Sequence, residues 1–150
     1  MIKKYLVIGN PIEHSLSPKL HNYWFNKNNI DAVYDKKQIN EADIKEIISE
    51  VRNGKIDGIN VTVPFKKSVI PFIDELSFEA NKVQAVNTIY KENNKVLGHN
   101  TDIGGFELAI RKKNYDVKDK KVFILGAGGV VSSIILSLKK MKASKIILSN

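Results

Sequence analysis

Val122-Phe123-Ile124-Leu125-Gly126-Ala127-Gly128-Gly129 runs from an apolar strand into a glycine turn, and the residues after it, Val130 to Met141, carry a helical pattern. Strand, glycine turn and helix in that order are the context that a dinucleotide fingerprint requires. Gly126 permits the tight turn. Gly128 lets a pyrophosphate approach the backbone, and the helix start offers unpaired N–H groups to its charge. The loop Gly126, Ala127, Gly128, Gly129 and Val130 is therefore the candidate cofactor segment. The third small position of the fingerprint falls on Val131, which packs less closely than glycine or alanine. A further strand over 145–149 completes one β-α-β unit.

Upstream, the polar stretch from Asn114 to Lys121 reads as a boundary between lobes, preceded by a helix over about 103–113. The first hundred residues show a different rhythm. Residues 4–9 read as a buried strand ended by Gly9, and Asn10-Pro11 as a turn. Ser17-Pro18 starts a helix, with serine as N-cap and proline at the first helical position. Residues 32–39 form a second strand. Residues 41–52 form a helix with Ala42, Ile44, Ile47, Ile48 and Val51 on its apolar period and Asn53-Gly54 as its stop. Ile56 to Val63 is a third strand. A short helix holds Val69, Ile70 and Phe72, another spans 77–83, and a hairpin turns at Glu92-Asn93-Asn94. This order predicts an α/β chain: a three-layer domain on a mostly parallel sheet over 1–101, then a linker helix and the first part of a Rossmann-like dinucleotide-binding domain over 102–150.

Composition narrows the classes of function. The chain has 150 residues, 43% hydrophobic and 27% charged, the balance of a globular rather than a disordered protein. No apolar run is long enough to cross a bilayer, and the apolar part of the N-terminus is too short for a signal peptide. With no cysteine there are no disulfides, thiol nucleophiles or thiolate metal sites, and a cytoplasmic, cofactor-assisted role is expected. The net charge of +8 favours anionic ligands. Of 24 basic residues only Arg52 and Arg111 are arginines, and the lysines are scattered. Nucleic-acid readers lean on arginine forks and clustered stripes, so nucleic acid is not the expected partner.

Four further motifs carry chemistry. In His14-Ser15-Leu16-Ser17-Pro18, two hydroxyls flank a helix start where a carboxylate would be held; ordinary capping by Ser17 is the competing reading. Asn60-Val61-Thr62-Val63-Pro64-Phe65-Lys66 places Thr62 and Lys66 beyond the carboxyl end of a buried strand, where ligands of open sheets bind. A lysine beside a carbonyl or alcohol donates and accepts its proton. In Ala85-Val86-Asn87-Thr88, the Asn87 amide offers both donor and acceptor to hydroxyls, unless it merely closes a turn. In Asn100-Thr101-Asp102, Asp102 is either a helix N-cap or the carboxylate that pairs with Lys66.

Together with Gly9-Asn10-Pro11-Ile12-Glu13-His14-Ser15-Leu16-Ser17-Pro18 and the glycine turn, these motifs resemble the shikimate dehydrogenases in order and approximate spacing along the whole chain. The resemblance implies reversible, NADP-linked reduction of 3-dehydroshikimate to shikimate. It implies that Ser15 and Ser17 bind the substrate carboxylate and that Thr62, Asn87 and Asp102 meet the ring hydroxyls. Lys66 would be the acid/base, oriented by Asp102, and residues 126–130 would carry the pyrophosphate. Asn150 would open the Asn-Arg-Thr motif that meets the cofactor 2′-phosphate. The family's chain is longer, so the 150 residues alone are expected to be inactive or nearly so. A homodimer is compatible with the resemblance, as is a hinge near Thr101 to Asp102. Two other readings stay open: a quinate/shikimate dehydrogenase using NAD, and a non-catalytic shikimate-binding sensor.

Overall fold

A computed structural model describes residues 2–149. Asn150 lies outside the described residues. Among the described residues fifteen short elements follow one another, beginning with β1 (Lys3–Gly9), α1 (Ser17–Lys27), β2 (Ala32–Gln38), α2 (Ile44–Arg52) and β3 (Gly58–Val61). A two-residue strand β4 (Glu75–Leu76), helix α3 (Phe78–Val83) and the hairpin β5 (Thr88–Glu92) and β6 (Lys95–His99) follow. Then come α4 (Asp102–Lys112), β7 (Lys121–Leu125), α5 (Val131–Lys140) and β8 (Lys145–Ser149); 3₁₀ turns at 41–43 and 70–72 complete the set.

Six strands form one sheet in the order β2-β1-β3-β5-β6-β4. β1 runs parallel to β2 and β3, and β4 parallel to β6, while β5 is antiparallel to both β3 and β6. The hairpin turns at Asn93 and Asn94, both at positive φ (48° and 63°), as a tight turn between right-twisted strands demands. β7 and β8 pair in parallel as a separate small sheet.

Strand alternation divides the large sheet's side chains between two faces. Ile8, Ile59 and Ile89 point to one face and join Ile44, Ile47, Ile48 and Val51 of α2 in the main core. Each such buried aliphatic side chain contributes about 1.5–3 kcal/mol relative to exposure. Val7, Ile12 and Tyr34 form a smaller cluster on the other face, with Tyr5 and Phe25 of α1 packed against it. Helices therefore cover both faces, which gives the three layers predicted.

Several local expectations are corrected. Ser17 is not the N-cap of α1; the cap position is Leu16 with no side-chain hydrogen bond, and Ser17 is the first helical residue. The Ser15 Oγ takes up the Ser17 N–H instead, at 3.3 Å. Ala42 falls in the 3₁₀ turn and is exposed, so the apolar stripe of α2 starts at Ile44. The third strand is shorter than Ile56–Val63. Ile56 N–H still bonds Glu50 at the end of α2, and Pro64 has no N–H to extend the ladder. The segment after Pro64 is a turn with a 3₁₀ end at Ile70–Phe72, not a full helix. Asp102 is the first residue of α4 rather than its N-cap, a place taken by Thr101, and Val130 caps α5 rather than opening it.

Candidate active site

The topology brings the sequence-predicted residues to one edge. Ile8 pairs with Val61, Asn60 with Thr88, and Thr88 with His99, so the ends of β1, β3 and β6 and the start of β5 lie together. Ser15 and Ser17 follow β1, Thr62 and Lys66 follow β3, Asn87 precedes β5, and Asp102 follows β6. The open-sheet rule thus places all six beyond the carboxyl ends of the parallel strands.

Three of them meet directly. The Lys66 ammonium lies 2.6 Å from Oδ2 of Asp102, with side chains only 15% and 20% exposed. The other oxygen, Oδ1, accepts a hydrogen bond from Asn87 Nδ2 at 2.9 Å. Asn87 also donates to Thr101 Oγ1 at 2.9 Å, while its Oδ1 accepts the Thr101 N–H at 3.0 Å and the Thr88 hydroxyl at 3.0 Å. Both carboxylate oxygens are thus pinned by buried or half-buried donors, and charge-assisted bonds of this kind are the strong ones. Among the described residues the ammonium has no other hydrogen-bond partner, which leaves its remaining protons for a ligand.

Thr62 is fixed through its backbone: its N–H bonds Ile8 O at 3.0 Å and its carbonyl accepts from Phe65. Gly9 makes this possible. A Cβ there would lie 2.6 Å from Thr62 Cγ2 and 3.1 Å from Val63 O, so two loops meet across a position that only glycine fits.

Behind these groups runs a polar relay that the motifs did not reveal. Tyr34 is buried, stacks on His21 with ring centroids 4.2 Å apart, and donates its phenol proton to Asn60 Oδ1 at 2.6 Å. Asn60 Nδ2 donates to Asn87 O at 3.2 Å and Thr88 Oγ1 at 3.1 Å. Burial pushes the Tyr34 phenol well above its ordinary range, and contact with Ser17 opposes that shift more weakly. Burial also lowers His21 below its ordinary value, which favours the neutral form of the stacked imidazole. The relay connects the Ser17 side of the site to Asn87. Its one sequence signal was Tyr34, an inward aromatic on a polar strand.

The glycine loop shares a cleft with Lys66. A cavity of about 420 Å³ is lined by Pro64, Lys66, Ala85, Ala127, Gly128 and Gly129, among others. Gly126 has φ +93°, a conformation that favours glycine. A Cβ built at Gly128 or Gly129 would meet nothing within 4 Å, so the loop leaves open room beside the start of α5. That combination of open backbone and helix start fits a dinucleotide pyrophosphate. Lys67 also lines the cleft, in an exposed position. No group of three or more His, Asp or Glu suited to a metal occurs among the described residues, and no helix of the described residues is long and apolar enough to cross a membrane.

Residues 7–89 match the family model described as the shikimate dehydrogenase substrate binding domain. The chain belongs to the shikimate dehydrogenase family. It is 59% identical over its full length to the NADP(+) shikimate dehydrogenase of Pelagibacter ubique, of which it covers 57%. Two solved structures agree. Shikimate dehydrogenase from Aquifex aeolicus superposes with a TM-score of 0.92 at 39% identity, over 98% of this chain and 55% of that one. The enzyme of Thermus thermophilus, solved with NADP(H) and shikimate, gives 0.89 at 27% identity over 98% and 55%. The chain thus spans about half the length of the relatives it matches. The residues matched by the family model include Ser15, Ser17, Thr62, Lys66 and Asn87; Asp102 and the glycine loop lie beyond them.

Proposed function

We propose that these residues form the substrate-binding domain, over 1–101, and the first part of the cofactor-binding domain, over 102–150, of an NADP-dependent shikimate dehydrogenase. The observation that carries the reading is Lys66, paired with Asp102 at 2.6 Å and lining one cleft with Ala127, Gly128 and Gly129. An acid/base lysine and a pyrophosphate-binding loop facing one cleft are the parts that carbonyl reduction needs.

Held at the glycine loop, NADP(H) would supply the hydride chemistry at the carbonyl carbon. The chain's own residues do the rest. Lys66 gives a proton to the developing alkoxide and recovers it in the reverse direction. Asp102 aims the ammonium, and Asn87 fixes Asp102. Ser15 and Ser17 receive the substrate carboxylate at the start of α1, and Thr62 and Asn87 flank the ring hydroxyls. Gly126, Ala127, Gly128, Gly129 and Val130 hold the pyrophosphate. The names of the relatives support NADP over NAD. The same reading makes the protein a cytoplasmic enzyme of small molecules that binds no nucleic acid, and a homodimer accommodates it.

The test is NADP+-linked oxidation of shikimate by the full-length gene product, with quinate and NAD+ in parallel. Strong turnover of shikimate with NADP+ supports the reading. Preference for quinate or NAD+ would replace it with the broader dehydrogenase, and binding of shikimate without turnover would point to a sensor.

A further inference from the structure

One buried polar contact joins the two lobes. Asn100, between β6 and α4, is 1% exposed, and Ser133, in the first turn of α5, is fully buried. Asn100 Nδ2 donates to Ala85 O at 2.9 Å and to Ser133 Oγ at 3.2 Å. Its Oδ1 accepts the backbone N–H of Asp102 at 3.0 Å. One side chain therefore touches the loop beside Lys66, the backbone of the residue that pairs with Lys66, and the helix that follows the glycine loop. One turn along α5, Ser137 is also fully buried and donates to Ile103 O at 2.7 Å. Serines four apart on one helical face thus tie α5 to the Asn100 side chain and to the Ile103 carbonyl, on either side of Asp102.

We infer that Asn100 and Ser133 form a positioning joint that sets the height of the Gly126–Gly129 loop against the Lys66–Asp102 pair. Such a joint determines where a loop-bound cofactor stands relative to the proton donor. Hydride and proton must arrive at one carbonyl, and small misplacements there are costly in rate. Neither residue touches the cleft, so both act through others. The contact also resists a shift of α5, because moving the helix away would break the bond between Asn100 and the buried Ser133 hydroxyl.

This inference rests on the proposed dehydrogenase reading, and the experiment separates the two. Ser133→Ala is the variant, in the full-length protein, because it removes one hydroxyl without adding bulk; Asn100→Ala risks the fold. The kinetic readout is kcat, both KM values and the isotope effect with deuterated NADPH. The joint predicts that kcat falls by up to about tenfold, the worth of one neutral hydrogen bond. It also predicts a shikimate KM within about twofold of the parent and a larger isotope effect as hydride transfer becomes slower. Unchanged kcat and isotope effect in an active parent would overturn it. The second readout needs no ligand: hydrogen exchange at the Asp102 amide and at the amides of 131–137. Faster exchange at both sites in Ser133→Ala supports the joint, and faster exchange in α5 alone overturns it. If the parent protein does not oxidise shikimate, the functional reading falls and exchange alone decides the joint.

Discussion

Asn87 and Lys66 hold Asp102 from two sides, one on each carboxylate oxygen. The carboxylate can neither rotate nor drift without breaking one of these bonds, and the lysine it directs is fixed with it. In the proposed function, this half-buried ion pair is an oriented proton donor.

Asp102→Asn keeps the shape but removes the charge. An amide nitrogen facing the ammonium repels it, and an amide oxygen facing it attracts it only weakly. Turnover by the full-length protein is expected to fall by about 10- to 1000-fold. Steady-state kinetics checks this, and a fall of less than about twofold would show that Lys66 needs no anionic partner.

Gly9→Ala tests the contact between the loops after β1 and β3. The new methyl would sit 2.6 Å from Thr62 Cγ2 and 3.1 Å from the Val63 carbonyl, and a backbone oxygen yields little. Overpacking of this kind costs about 1–3 kcal/mol. Denaturant unfolding should show that loss, together with a raised KM for shikimate through displaced Thr62.

Gly126→Ala acts on the other wall. At φ +93° a side chain is strained by about 1–3 kcal/mol. The expected result is a raised KM for NADP+ with the shikimate KM close to the parent value, the reverse of Gly9→Ala. Measuring both constants for both variants separates the two walls of the cleft.

The Tyr34 phenol predicts an alkaline limit to stability. Burial raises it in the folded state above its unfolded value of 10.0. An acid that ionises more readily when unfolded stabilises the fold fully below that value and loses the contribution as pH rises past it. Unfolding free energy should therefore fall more steeply between about pH 9 and about pH 11 in the parent than in Tyr34→Phe. Equal slopes would remove Tyr34 from the account. His21 works in the opposite sense: held below its ordinary 6.5, it stabilises fully above that value and loses the contribution as pH falls beneath it.

Much of this site was legible in the sequence because its parts are local. The strand-turn-helix around Gly126, the Thr62–Lys66 segment after β3 and the Ile44–Val51 stripe each carry their own signal in spacing and residue type. The Lys66–Asp102 contact was one of two readings offered for Asp102, and the cap position at Thr101 freed the carboxylate for Lys66. What stayed hidden depends on contacts between residues far apart in the chain. Tyr34 with Asn60, and Asn100 with Ser133, are 26 and 33 residues apart, and nothing in either neighbourhood predicts its partner. Local boundaries failed where a backbone bond was contested. Ser15 took the capping bond expected of Ser17, and the 3₁₀ turn placed Ala42 outside the core.

The most direct test is the rate of NADPH formation from shikimate by the full-length protein with Lys66 intact and with Lys66→Ala, each at saturating shikimate. The account predicts ready turnover in the first and a kcat about 10²- to 10⁴-fold lower in the second, with the KM for shikimate changed far less. Near-normal turnover by Lys66→Ala would contradict it, because the proton would then come from elsewhere than the lysine that Asp102 holds.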